Sequence, residues 1–131
     1  MAEYIAPAQI VTAGANVIFG SGRGCCKIRH RDDTGIFTLK GSGNCNPARY
    51  RVDFHIVTTA TAAAPIQLVI TEDGEPMPET TVAIVPAAIG DIISSQTSTE
   101  VVVDCDCAKV AVRALSAVPL TAGNIIISRI A

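Results

Sequence analysis

The stretch Arg49-Tyr-Arg-Val-Asp-Phe-His-Ile-Val57 is the most informative part of the sequence for the fold. Within it, Tyr50, Val52, Phe54 and Ile56 alternate with charged or polar residues. Successive side chains of a β-strand point to opposite faces, so this alternation predicts a strand with one face in a hydrophobic core and the other in water. The four apolar side chains are therefore predicted core residues.

The composition of the whole chain favours β-structure throughout. Its 131 residues include 29 Val and Ile against only 4 Leu, and 12 Thr add further β-branched side chains. Such residues pack well on a pleated sheet. With 49% apolar and 17% charged residues, the chain has the composition of one folded domain and not of a disordered segment. A net charge of -2 without a basic block gives no electrostatic basis for binding nucleic acid or an anionic membrane.

Turn-forming residues recur at short intervals and divide the chain into about ten short strands. Besides the strand at 49–57, strands are predicted at 9–11, 16–19, 26–30, 35–40, 66–71, 80–85, 100–104, 109–115 and 124–130. Asp73-Gly74 is predicted as a hairpin turn, 121–123 as another turn, and 86–93 as a loop that enters a strand.

An all-β chain without helices to cover a parallel sheet buries its alternating faces most simply in two antiparallel sheets packed face to face. The sequence therefore predicts a single all-β domain over residues 1–131, in which residues 1–8 form a short N-terminal arm. Val110, Val112 and Ile127 are further predicted core residues.

Several short motifs resemble the complement-type, tumour-necrosis-factor-like jelly roll. They are Val11-Thr-Ala-Gly14, Val17-Ile-Phe19, Ile28-Arg-His30, Thr34-Gly-Ile-Phe-Thr-Leu39 and Ala48-Arg-Tyr-Arg-Val-Asp-Phe54. The resemblance implies an antiparallel jelly-roll sandwich of ten strands that packs as a homotrimer. It extends to the C-terminal domain of collagen-like exosporium glycoproteins of spores and to small phage head decoration or fibre proteins. Because this chain has no Gly-X-Y collagen stalk, we favour the phage comparison.

Two runs carry large apolar side chains on both faces of their strands. In Val101-Val-Val103 and Ile125-Ile-Ile127, one face can enter the core, whereas the other must be covered by another subunit or meet water. Soluble monomers rarely expose large apolar patches, so the sequence predicts an oligomer. The family resemblance makes that oligomer a homotrimer. The candidate interface residues are Val102, Ile126 and His55.

The chain has an odd number of cysteines. Adjacent and C-x-C pairs differ from the usual C-x2-C spacing of zinc sites, so we expect reduced, non-catalytic thiols. A structural metal site and a cross-link formed after release from the cell remain open alternatives. The five residues are Cys25, Cys26, Cys45, Cys105 and Cys107.

The sequence contains no convincing catalytic or cofactor-binding motif. The glycine-rich segment 20–24 lacks the Gly-Lys-Ser/Thr ending of a phosphate loop. Asp32-Asp33 and Asp104-x-Asp106 could offer oxygen ligands to calcium, although short acidic pairs are common in turns. His55 lies two residues from Asp53, and this pair would respond to pH if a neighbouring subunit covered it. We expect no enzyme activity and no cofactor.

These observations favour a non-enzymatic structural protein on a particle surface, a phage capsid decoration or head-fibre protein. The alternative is a spore- or cell-surface module that binds carbohydrate or protein. Tyr4 and Ile5 are the large side chains of the predicted arm and the candidates for docking on a capsid or other particle lattice. Residues 1–5 lack the pattern of a secretory signal, so we expect synthesis in the bacterial host cytoplasm and a final place on the virion surface, or alternatively on the spore surface.

Overall fold

Two six-stranded antiparallel sheets pack face to face in the computed structural model, which describes residues 2–20, 22–23, 28–30, 35–41, 47–60, 65–103 and 107–130. Ten of the strands in these ranges have three residues or more, as predicted, and a single 3-10 turn at Pro78–Thr80 is their only helical element. The strands are β1 Ala2–Ala6, β2 Gln9–Val11, β3 Gly22–Arg23, β4 Ile28–His30, β5 Phe37–Lys40, β6 Ala48–Thr59, β7 Ile66–Glu72, β8 Glu75–Pro76, β9 Val82–Ile84, β10 Ile92–Val103, β11 Cys107–Ala114 and β12 Val118–Arg129.

The order of strands within each sheet differs from their order along the chain. The first sheet runs β10-β6-β12-β1-β3, with β2 also paired to β12. The second runs β4-β5-β11-β7-β8, with β9 also paired to β7. Strands that are neighbours in space are therefore mostly distant in sequence, and the chain crosses repeatedly between the two sheets. The predicted all-β antiparallel sandwich is confirmed.

The core lies between the two sheets and is built from the inward side chains of alternating strands. All seven predicted core residues are buried: Tyr50, Val52, Phe54, Ile56, Val110, Val112 and Ile127. The Phe19 ring packs edge-on against Phe37 and Phe54, with ring centroids 5.2 and 6.0 Å apart. Edge-to-face packing suits aromatic rings because the positive ring edge meets the negative face of its neighbour. These three phenylalanines join the two sheets through the interior.

The turn at Asp73-Gly74 is the hairpin that the sequence predicts. Both residues have positive φ, 51° and 86°, and the turn joins β7 to β8. Two consecutive residues with positive φ match the twist of the flanking strands, and glycine adopts this conformation without strain from a Cβ atom.

Segment 16–19, predicted as a strand, is not one. Asn16 forms an isolated bridge to Arg113, Phe19 is a second single bridge residue, and the backbone of Ile18 bonds to a side chain. The Gln9 amide donates to the Ile18 carbonyl oxygen at 2.8 Å and accepts from the Ile18 N–H at 3.0 Å. A side-chain amide therefore takes the place of a neighbouring strand at this position.

Two further boundaries differ from the sequence prediction. Residues 121–123 lie inside β12, where a bulge between Leu120 and Ala122 absorbs the expected turn. β10 begins at Ile92 and not at residue 100, and it pairs with β6 along its whole length. Its polar run 94–99 has no apolar alternation, so the sequence did not mark it as a strand. The hydrogen bonds to β6 determine its conformation instead.

Glu72, at the end of β7, has a carboxyl group whose ionisation affects the stability of the fold. Its pKa is raised above the usual value because burial disfavours the charged form and because Asp73 repels it. Ionised Glu72 therefore costs stability above its folded-state pKa, and this cost disappears when the pH falls below the pKa of the unfolded chain.

We expect Glu72→Gln to raise Tm at neutral pH and to leave it unchanged below about pH 4, where glutamate is protonated in both states. Thermal unfolding at the two pH values measures this difference. Glu75→Gln, at an exposed position of β8, is the matched control. A lower Tm for Glu72→Gln at neutral pH would contradict the expected sign.

Candidate functional site

The outward side chains of the first sheet form one continuous surface, which we call the β6 face. They are placed there by the alternation of β6 and by the strands paired on both sides of it. The β6 face comprises Glu3, Ile5, Arg51, Asp53, His55, Gln96, Ser98, Asn124 and Ile126.

Strand register arranges these side chains in rows across the sheet. Ile5, Asn124, His55 and Gln96 are successive partners on β1, β12, β6 and β10. The next row contains Glu3, Ile126, Asp53 and Ser98 in the same order of strands. Neighbouring strands lie about 4.8 Å apart, so each residue of a row is adjacent to the next. Residues far apart in sequence thus form one surface of mixed polar and apolar character.

The β6 face is concave. A cavity of about 640 Å³ is lined by side chains that include Arg51, His55, Gln96 and Ile126. A second depression of about 330 Å³ shares His55 with it and reaches Ile5 on β1. His55 therefore lies between two depressions, and a partner of complementary shape could fill them.

One ion pair lies within this face, and a second lies beyond its end. Arg51 Nε lies 3.2 Å from Asp53 Oδ1. At the far end of the same strands, Arg49 Nη1 lies 3.3 Å from Glu100 Oε1. Both pairs are exposed and contribute little to stability in water. Because the charges are paired, covering these side chains would cost less than covering isolated charges.

The three predicted interface residues all lie on the outward side of this sheet. Ile126 and His55 line the same cavity. Val102 is 46% exposed and lies opposite Arg49, near the other end of β6. The structure therefore brings two of the three together and places the third farther along the same surface. Sequence reasoning missed Gln96 and Ser98, because the polar run that contains them was not predicted as a strand.

The two predicted docking residues lie on opposite sides of β1, one buried and the other exposed. Tyr4 is only 7% exposed, and its ring lies 5.1 Å from the ring of Phe37 in the core. The prediction for Tyr4 is therefore wrong, because the segment predicted as an arm contains β1, which is paired with β12 on one side and β3 on the other. Ile5 points outward and is 55% exposed, so it belongs to the β6 face.

Most of the cysteines, and all of the acidic residues considered as possible calcium ligands, lie outside the described residues. These are Cys25, Cys26, Cys45, Cys105, Asp32, Asp33, Asp104 and Asp106. Cys107 begins β11, is exposed and forms no disulfide. Within the described ranges, no three His, Cys, Asp or Glu side chains come together as a metal site would require. The same ranges include no helix long and apolar enough to cross a membrane.

We expect all five cysteines to be free thiols in freshly made protein. Intact-mass measurement after alkylation under anaerobic conditions should show five adducts on each chain. The same experiment without the alkylating reagent gives the reference mass. Fewer adducts, or unfolding when a chelator is added, would contradict the expectation and indicate a cross-link or a structural metal.

Strand order and two-sheet packing together define the class of fold as a tumour-necrosis-factor-like jelly roll. Murine APRIL at pH 5.0 matches with a TM-score of 0.65 and 11% identity, covering 95% of this chain and 95% of its own. Eiger TNF from S. frugiperda matches with a TM-score of 0.62 and 11% identity, covering 98% of this chain and 92% of its own.

The likeness to these two structures concerns the fold alone, because the sequences share so few residues. Murine APRIL at pH 8.5 gives a TM-score of 0.54 at 12% identity, over 95% of both chains. No family model matches the sequence, and no curated protein matches it.

Proposed function

We propose that the protein is a non-enzymatic structural protein that forms a homotrimer through the β6 face and is displayed on a particle surface. The observation that carries this proposal is the distribution of exposed apolar side chains. Four large ones lie on strands of the first sheet: Ile5 on β1, Ile10 on β2, and Ile92 and Val102 on β10. Packing of subunits against one another would remove this apolar surface from water and provide the main driving force for assembly.

The free edge of β10 supports the same proposal. β10 has 12 residues and is the last strand of its sheet, paired only with β6 among the described strands. A long unpaired edge exposes backbone N–H and C=O groups and invites uncontrolled pairing with other chains. A closed ring of three subunits would cover this edge, whereas an open arrangement would leave one edge free at its end. The likeness to tumour-necrosis-factor-like structures favours three subunits over two.

The side chains in the cavity of the β6 face do not favour catalysis. Ser98, His55 and Asp53 all line it, but no hydrogen bond joins any two of them. Asp53 instead accepts a hydrogen bond from Arg51 Nε at 3.2 Å. A serine nucleophile needs a base within hydrogen-bond reach and a group that orients that base. We therefore propose a structural role for these side chains.

The particle that we propose is a phage head, with the protein as a capsid decoration or head-fibre component made in the bacterial host cytoplasm. Support comes from the resemblance of the sequence to small phage structural proteins. The second candidate is a spore- or cell-surface module that binds carbohydrate or protein. The observation that favours it is the cavity of about 640 Å³, which falls in the size range of small-molecule sites.

Immunogold electron microscopy separates the two candidates. An antibody against the purified protein would be applied to purified virions and to spores or cells of the source organism. We expect regularly spaced label on virion heads and none on spores. Label confined to spores or cells would favour the binding module, and label absent from virions would contradict the phage proposal.

A further inference from the structure

The outer side of the second sheet carries a separate cavity of about 410 Å³, on the opposite side of the sandwich from the β6 face. Its walls come from β7, β11 and the hairpin turn between β7 and β8. The side chains that matter for its chemistry are Asn16, Thr71, Asp73, Lys109, Ala111 and Arg113. Assembly through the β6 face would leave this cavity open to solvent.

The hairpin turn is fixed in place over this cavity by three hydrogen bonds. The Asp73 N–H donates to the Lys109 carbonyl oxygen at 2.7 Å, and the Lys109 N–H donates to Asp73 Oδ1 at 2.9 Å. Arg113 Nη2 donates to the Gly74 carbonyl oxygen at 3.3 Å. The turn therefore has a defined position relative to β11, and a ligand would meet walls that are already formed.

The floor of the cavity consists of small side chains that point outward and yet are buried. Thr71 is 2% exposed and Ala111 is 6% exposed. The Thr71 hydroxyl donates to the Ala111 carbonyl oxygen at 3.3 Å and so joins the two strands beneath the cavity. Small residues at these positions leave a recess where larger ones would fill it.

The charges around the recess favour an anion. Among the described residues that line it, Lys109 and Arg113 lie four residues apart on β11, and Asp73 is the single carboxylate. These described residues carry one positive charge in excess, and Lys109 forms no ion pair with any described residue. Glu72, the neighbouring acid, alternates to the inner side of β7 and does not line the recess. A bound carboxylate would pair with the ammonium and guanidinium groups through charge-assisted hydrogen bonds.

Other lining groups favour a ligand that also carries hydroxyl groups. The Asn16 amide can donate and accept, and Asp73 can accept a further hydrogen bond at its free oxygen. Within the part of the chain that the structure describes, no aromatic residue lines the recess, and Ile36 is its only large apolar side chain. An apolar ligand would therefore cover the polar lining groups, which would lose their hydrogen bonds to water and gain none from the ligand.

From this arrangement we propose that the recess binds a sugar acid, such as a uronic acid unit of an acidic polysaccharide. The carboxylate lies between Lys109 and Arg113, and the ring hydroxyls bond to Asn16 and Asp73. The volume of the recess suits a ligand of this size. The site does not depend on the trimer or on the particle that carries it.

Titration of the full-length isotope-labelled protein by NMR tests the proposal, with sodium D-glucuronate as the probe. D-glucose and sodium acetate are the comparators, since each lacks one of the two features. We expect saturable shifts of the Gly74, Lys109 and Ala111 amides with a millimolar Kd for glucuronate, and binding of both comparators about tenfold weaker or worse.

Lys109→Gln should weaken glucuronate binding about tenfold, because it removes one charge-assisted hydrogen bond from an exposed position. Lys40→Gln makes the same change of charge on β5, outside the recess, and should leave the affinity unchanged. Absence of saturable shifts at tens of millimolar would overturn the proposal. So would equal binding of glucose or acetate, or an equal loss of affinity in the two lysine variants.

Discussion

Replacing Phe54 by alanine is expected to lower the free energy of unfolding by about 3 to 5 kcal/mol, the usual range for a buried aromatic ring. Phe54 is 1% exposed and lies in the middle of the β6 strand, where its ring meets that of Phe19 at 6.0 Å. Its removal takes away apolar contacts with both sheets and leaves a cavity in the centre of the sandwich. Because backbone hydrogen bonds pair β6 with neighbours on both sides, the core has little freedom to collapse into that space.

Urea denaturation at one fixed protein concentration measures the change, since the stability of an oligomer depends on concentration. Val85→Ala is the matched control, because Val85 is an exposed apolar residue and its truncation should change stability by no more than about 0.5 kcal/mol. If Phe54→Ala lowered the free energy of unfolding by less than about 1 kcal/mol, Phe54 would not be a tightly packed core residue, and the predicted core face of β6 would be contradicted.

Replacing Ile126 by aspartate is expected to dissociate the proposed trimer while leaving each subunit folded. In an interface, an unpaired carboxylate would cost several kcal/mol at each of three equivalent positions. At about 3 kcal/mol for each, association weakens roughly a millionfold. The new carboxylate would also lie between Asp53 on β6 and Glu3 on β1, its two partners in register, and like charges there repel.

Sedimentation velocity at micromolar concentration should show Ile126→Asp as a monomer with the far-ultraviolet circular dichroism of the parent protein. Val85→Asp introduces the same charge at an exposed residue that follows β9 of the second sheet, and this variant should remain trimeric. If the Ile126→Asp variant remained trimeric, Ile126 would not lie in the interface. Loss of the trimer in both variants would show an effect of charge alone.

The sequence is a good guide to strands that have one apolar face and a poor guide to the others. The alternation from Arg49 to Val57 predicts β6 and its core side chains correctly. By contrast, the polar run 94–99 within β10 carries no such alternation, and this segment is a strand because β6 offers it hydrogen bonds along its length. Pairing of this kind depends on tertiary structure and leaves no periodic signal in the strand itself.

The dependence on tertiary pairing also decides which residues of the candidate sites could be predicted from the sequence. Ile126 was recognised because an isoleucine run must place one large side chain outward. Its neighbours Gln96 and Ser98 are ordinary polar residues, and only the register of β10 against β6 brings them to the same cavity. Tyr4 was misassigned because a short N-terminal segment with a large ring has no pattern that distinguishes an arm from a strand.

The recess on the second sheet illustrates a third case. Lys109 and Arg113 lie on one face of a strand by their spacing alone, and this spacing is visible in the sequence. The position of the Asp73-Gly74 turn over them is not, because it depends on the hydrogen bonds from β11 to the turn. A site formed by a turn and a distant strand requires the fold before it can be recognised.

Multi-angle light scattering of the intact protein at micromolar concentration tests the central claim, that three chains assemble into one particle, most directly. One chain has a mass of 13.6 kDa, and we expect a single species with about three times that mass. A mass near 13.6 kDa at this concentration would contradict the account.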